Sequence, residues 1–359
     1  MRIHDRYLLV DFWRNLAIGL IAFAVIYITV DVNEKIDDYI DFHARIADVF
    51  LLYAYMVPWI LVLVMPVAVL LAALFSLGRL SRLGELTAFI ASGTPLTRVA
   101  SPIIVSSVVI SLAVLAYGEF FLPQANRKSE EIKEVRIKGE KRRQDERYRD
   151  NVHYQGERGR TYYAQRYDVE LKALTNVIVH EYRDGTLSRR IDAKRAYWDG
   201  IQWIFVEGAA RTFAADGERV ATFSKLELRD LAERPEDFMR EEIAPDEMNV
   251  RELRRYIDRL RRSGGPVDKY LVDLYFKFSF PFTNLIFAMI GAALASAKRK
   301  PSMATGFGLT LFISFTYYGI IRIGQALGHS GVIPPLASAW LGNVVFLAIG
   351  GVLLYRANQ

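Results

Sequence analysis

The sequence contains no cysteine in 359 residues. Neither a disulfide framework nor a thiolate metal site can be built from it, and an oxidising compartment is neither required nor excluded. A phosphate-binding loop of the form Gly-x-x-x-x-Gly-Lys-Ser/Thr is missing, so the chain is not expected to hydrolyse nucleotide. Gly-x-Ser-x-Gly and His-Glu-x-x-His are missing too, which removes two common signatures of hydrolases. The few histidines (His4, His43, His153, His180 and His329) are scattered without the spacing of metal ligands. A formal charge of +6 is modest and calls for no nucleic acid. Isolated carboxylates leave an enzyme open, but no motif points to one; the expectation is a transport or scaffolding chain, not an enzyme, without catalytic residues, cofactor or metal.

What the sequence has is segregation. Apolar residues are 52% and charged residues 24% of the whole, yet the apolar ones gather towards both ends and the charges in the middle. Leu16–Val30 is an uncharged apolar run, with Phe12 and Trp13 as interfacial anchors. No small-x-small cleavage site follows it, so it reads as a retained first span rather than a signal peptide. The acidic stretch 31–48 follows as a loop. Val49–Leu77 makes span two, broken only by Pro58 and Pro66, and Val99–Leu122 makes span three. Spans four, five and six are Tyr270–Ala297, Ser302–Gln325 and Val332–Tyr355. The basic loops at 78–98 and Lys298-Arg299-Lys300 place both termini in the cytoplasm by the positive-inside rule. Residues from Pro123 to about Tyr270 then lie outside.

That outer part opens with a charged helical run, 123–151, whose mixed signs read as a solvated face. From about Val152 the period changes to two, in RTYYAQRYD, NVIVHEYRD, QWIFVEGAARTF and RVATFSKLEL. Asp184-Gly185, Asp199-Gly200 and Asp216-Gly217 separate them as hairpin signals. The expectation is an antiparallel sandwich or partly open barrel over 152–245. Tyr162, Tyr163, Tyr197, Trp198, Trp203 and Phe205 read as its core or edge packing. A basic helix opening at Asn249, with Leu253, Ile257 and Leu260 as its apolar stripe, fills a connector at 246–269 and ends at Gly264-Gly265-Pro266. The first half is thus 1–122 and the last 270–359.

Two features invite function. The stretch between spans two and three sets Leu80, Leu83, Leu86 and Ile90 at helical spacing, with Arg79, Arg82 and Glu85 opposite. It reads as a surface helix over 79–93 stopped by Gly93 and Pro95, either an interfacial loop helix or a docking element for a soluble protein. Lys277 and Arg322 lie inside apolar runs near the outer side, where they either snorkel or, with Lys35, meet an anionic group. Lipid phosphate would be the natural anion, and Glu119 and Asp273 are alternative neutralising partners.

Across nearly its whole length the chain resembles the permease subunits of the lipopolysaccharide exporter, the LptF/LptG type. The resemblance rests on GELTAFIASGTPLTRVASP, GEFFLPQANRKSEEIK, MNVRELRRYIDRLRRSGGPVDKY and GFGLTLFISFTYYGIIRIGQALGHSGVIPPLASAWLGNVVF in that order. It implies an α+β membrane protein of the bacterial inner membrane, with six transmembrane helices and an inserted periplasmic antiparallel β-jellyroll domain. It implies as partners a paralogous permease subunit, a cytoplasmic ATPase dimer, periplasmic β-jellyroll bridge proteins and lipopolysaccharide. Ser81–Gly93, with Arg82, Gly84, Glu85, Leu86 and Gly93, would be the ATPase-coupling segment, and Glu85 its acidic contact. Lys35 would face the lipid's phosphates, while Lys277 and Arg322 join it by their depth alone. The competing readings are a membrane-anchored periplasmic adaptor and a permease for another anionic amphiphile.

Overall fold

Six helical stretches carry the apolar runs, each long and apolar enough to cross a membrane. The computed structural model describes residues 3–138, 148–156, 159–183, 186–214, 217–228, 231, 233–239, 244–262, 267–296 and 303–357. Lys298-Arg299-Lys300, Gly264-Gly265-Pro266, Asp184-Gly185, Asp216 and the stretch 139–147 of the charged run lie outside the described residues. The chain divides into two units: Met1–Lys138 with Pro245–Val250 and Asp268–Gln359, and Gly139–Ala244 with Arg251–Val267.

In chain order the helices are α1 (Ile3–Asp41), α2 (Ile46–Arg82), the short α3 (Glu85–Ala91), α4 (Leu96–Phe120) and α5 (Leu122–Glu131). They continue as α6 (Val250–Arg262), α7 (Asp268–Ser279), α8 (Thr283–Ala295), α9 (Met303–His329) and α10 (Pro335–Ala357). The span through α2 and that through α7 and α8 are mostly buried, while α1, α9 and α10 leave most of their apolar surface uncovered. That is the pattern of a multi-pass membrane protein, whose outer helix faces meet lipid.

The acidic stretch 31–48 is not a loop. α1 continues through it to Asp41, and only Phe42–Arg45 connects to α2. A helix need not stop where its apolar run stops, and here Asp31 and Lys35 pair at 2.8 Å one turn apart. Span four is divided by a 3₁₀ turn at Phe280–Phe282, where Pro281 cannot donate a backbone hydrogen bond. Asn343 of α10 ties the break, donating to the Ser279 carbonyl at 2.6 Å and accepting from the Tyr317 hydroxyl at 2.6 Å. Gly291 lets α8 lie close on α2. A Cβ there would stand 2.8 Å from the Ala73 Cβ and 2.9 Å from the Leu70 carbonyl oxygen.

The second unit holds β1 (Tyr148–Gln155), β2 (Arg160–Asp168), β3 (Ala173–Arg183), β4 (Thr186–Trp198), β5 (Trp203–Ala214) and β6 (Gly217–Leu228). They form one antiparallel sheet in consecutive order. Four of these strands coincide with the segments of period two, and β1 and β4 are additional. Val152, Tyr162, Val177, Ile191, Phe205 and Leu228, one from each strand, join a single buried cluster with Leu231 and Phe238. Of the six aromatics assigned to packing, Tyr162, Trp203 and Phe205 are buried, Trp198 is half-buried against the same cluster, Tyr163 is half-buried and Tyr197 is exposed. The Asp199 turn joins β4 to β5, its Oδ1 accepting from the Ile201 and Gln202 amides at 2.8 Å. Those two bonds hold the Asp199 carboxyl below its ordinary range. α6 buries Leu253, Ile257 and Leu260, the stripe read from its sequence.

Candidate functional site

The stretch between spans two and three is two pieces, not one helix. α2 runs on to Arg82, Leu83 caps it, and Gly84 turns the chain at φ +81° before α3 begins at Glu85. This left-handed turn suits glycine and strains other residues, so the helical spacing of Leu80, Leu83, Leu86 and Ile90 is cut at its centre. Leu80 and Leu86 are buried, whereas Leu83 and Ile90 are 61% and 43% exposed. Gly93 makes a second left-handed turn at φ +84°, and Pro95 precedes α4. Arg82 and Glu85 are exposed beside Leu83 and Ile90. Glu85 stands in the first turn of α3, where a carboxylate meets the free amides favourably. Arg79 does not join them. It turns to α1 and donates to Asp11 Oδ1 at 3.1 Å. The exposed surface around α3 therefore presents Arg82, Glu85, Leu83 and Ile90, a small patch of mixed charge and aliphatic character.

At the other end of α1 lies a cavity of about 320 Å³. Tyr27 and Tyr39 of α1 and Leu52, Met56 and Trp59 of α2 supply its apolar wall. Opposite stands α5, continued by a π-helical turn at Ile132–Ile137. The wider turn carries Lys133 to the cavity, with Lys138 just beyond it. A 3₁₀ turn at Pro245–Glu247 closes one side, held where Asn126 Nδ2 donates to the Asp246 carbonyl at 2.9 Å and Arg127 Nε to that of Glu247 at 2.8 Å. Lys35 lines the cavity from α1. Its Nζ donates to both Asp31 oxygens, at 2.8 and 3.0 Å, and the Tyr53 hydroxyl donates to the same carboxylate at 2.6 Å. Lys133 bonds Glu130 at 3.1 Å and Lys138 bonds Glu134 at 2.7 Å. The three ammonium groups are thus fixed by carboxylates, and Asp38, Glu130, Asp246 and Glu247 also line the recess, so charges of both signs stand at the rim of its apolar wall.

Lys277 and Arg322 are not among the residues lining this cavity. Lys277 is half-buried on α7, following Lys269 and Asp273 at four-residue intervals. Asp273 bonds His329 Nε2 at 3.1 Å. Arg322 is exposed on α9, with Nη1 at 3.4 Å from Gln325 Oε1. Glu119 accepts the Val250 amide at 2.8 Å, anchoring the start of α6. The sequence singled out Lys35 but neither Lys133 nor Lys138, which were hidden in a run with charge at most positions. Their only signal was position, about three to four and a half helical turns beyond a span. Among the described residues no three His, Asp or Glu side chains converge to hold a metal ion.

No curated protein matches the chain. The family described as lipopolysaccharide export system permease LptF/LptG matches residues 6–356, nearly all of the sequence. The chain belongs to that family of lipopolysaccharide export permeases.

Proposed function

We propose that this chain is one permease subunit of an ATP-driven exporter that takes lipopolysaccharide from the outer leaflet of the inner membrane and passes it to a periplasmic bridge of β domains. The cavity between α1, α2 and α5 is the observation that carries this reading, because it pairs an apolar wall with fixed ammonium groups. Lys35 receives a lipid phosphate there, and Lys277 and Arg322 meet anionic head groups further round the same outer level. Both termini and α3 lie in the cytoplasm, and the β unit, 152–245, lies in the periplasm between connectors at 123–151 and 246–269.

A lipid with several acyl chains is held in the bilayer by about 0.8 kcal/mol per buried methylene, so extraction needs an outside source of energy. A sequence without a phosphate-binding loop borrows it from a separate ATPase dimer, docked at Arg82, Gly84, Glu85, Leu86 and Gly93. A paralogous permease completes the pore. The test is purification in mild detergent with analysis of co-eluting proteins and lipids. An ATPase, a second permease and lipopolysaccharide are expected together, and Lys35→Glu should lower the bound lipopolysaccharide severalfold. Another anionic amphiphile in its place would contradict the cargo, and a chain eluting without an ATPase would point to a tethered adaptor.

A further inference from the structure

We propose that the first turns of α1 belong to the coupling element, and that Asp11 is the positioning residue fastening span one to it. The inference rests on the coupling role proposed for α3. Leu8 and Phe12 are buried in the same cluster as Leu80, Leu86 and Leu96. The Asp11 side chain is only 5% exposed and accepts from Arg14 on its own helix and from Arg79 in the last turn of α2. Arg79 also lies over the Tyr7 ring, 5.5 Å from its centroid. Nearer the start of α1, the His4 ring stands 5.2 Å from that of Phe89 in α3, and Asp5 faces Arg98 of α4 at 3.8 Å. The foot of α1 therefore touches every piece of the inward segment: the end of α2, α3 itself and the beginning of α4.

Such a joint is stiff, because parting Asp11 from its arginines would strand a charge among apolar side chains. α1 continues from it without a proline, whereas α2 contains Pro58 and Pro66. About 36 Å further along α1, at 1.5 Å per residue, Lys35 reaches the cavity. A displacement of α3 thus arrives at Lys35 through α1 as one rigid body and shifts its ammonium against Lys133 on the opposite wall.

This chain has no cysteine, so an introduced thiol pair is the only pair within it. His4→Cys with Phe89→Cys, in the complete complex with ATPase and partner permease in proteoliposomes, is joined by a short reducible thiol cross-linker. If α1 and α3 move together, ATP-dependent lipopolysaccharide transfer stays within about twofold of the unlinked complex. A tenfold fall restored by reductant overturns the inference. In Asp11→Asn complexes that assemble, the lipopolysaccharide transferred per ATP hydrolysed is expected to fall about tenfold, and an unchanged ratio overturns the inference equally. Glu85→Arg in the same assay separates the two claims. If it leaves ATPase binding and transfer intact, the coupling role of α3 itself fails; if it abolishes them while the Asp11 ratio is unchanged, only the role of α1 fails.

Discussion

Phe238 stands with its ring 5.1 Å from Tyr154, 5.3 Å from both Tyr162 and Trp203, and 6.1 Å from Tyr167. Hydrogen bonds brace the strap that bears it: Arg149 donates to the Phe238 carbonyl at 2.6 Å, Trp203 Nε1 to the Glu233 carbonyl at 2.8 Å, and Tyr162 to Glu233 Oε2 at 2.8 Å. Burial and the Glu233 carboxylate raise the Tyr162 phenol well above its ordinary range, so it remains a donor. Phe238→Ala leaves a cavity among four rings, and a loss of about 3–5 kcal/mol in the β unit is expected, read by amide exchange in β2 and β5. His180 of β3 gives a pH signature. Burial first, and Arg190 second, lower its pKa below the ordinary 6.5. The unfolded chain therefore binds the proton first as pH falls, and this contribution to stability declines from about pH 6.5 down to the folded pKa. The unfolding temperature of the β unit should fall over that window, and His180→Gln should flatten the dependence. Residue choices were legible where burial alone decided them, as with Tyr162, Trp203 and Phe205. Leu83 and Leu86 look alike in sequence, and only the left-handed turn at Gly84 sends one outwards and the other in.

Elements were legible where one period ran unbroken. The six spans follow from apolar length, but their ends do not, because α1 keeps its helix for eleven residues past the point where its charges begin. β4 escaped notice for a related reason. Ile191, Ala193 and Ala196 face the core, but Arg189 and Arg190 before them and Lys194 and Arg195 among them mask the alternation. Arg190 chelates Asp192 through Nε and Nη2, and Lys194 meets Glu207 at 2.6 Å. The break in span four at Pro281 was visible as a proline, whereas the bonds of Asn343 that brace it join residues about sixty apart. Packing of α8 on α2 has a direct test. Gly291→Val drives two methyl groups into Ala73 and the Leu70 carbonyl, and overpacking of this kind is expected to cost about 1–3 kcal/mol, seen as a lower midpoint of thermal unfolding in detergent. An unchanged midpoint would mean that the two helices have room to part.

At the scale of the molecule, the first unit has an exposed mixed surface at α3 and a recess beside α5, with α1 reaching both. The family, the spans and the inserted sheet could be read from the sequence, because each is written in long stretches. The recess could not, since it combines residues from α1, α2 and α5 with a turn more than one hundred positions further on. On the proposed function the outside energy enters at Glu85 and is spent on the lipid near Lys35. The most direct measurement is ATP-dependent release of lipopolysaccharide from proteoliposomes holding the complete complex, with wild-type chain or with Glu85→Arg. Wild-type complexes should release lipopolysaccharide only when ATP is hydrolysed, and Glu85→Arg should lower that release by an order of magnitude or more in a chain that still folds. Release at the wild-type rate from the Glu85→Arg complex would contradict the account.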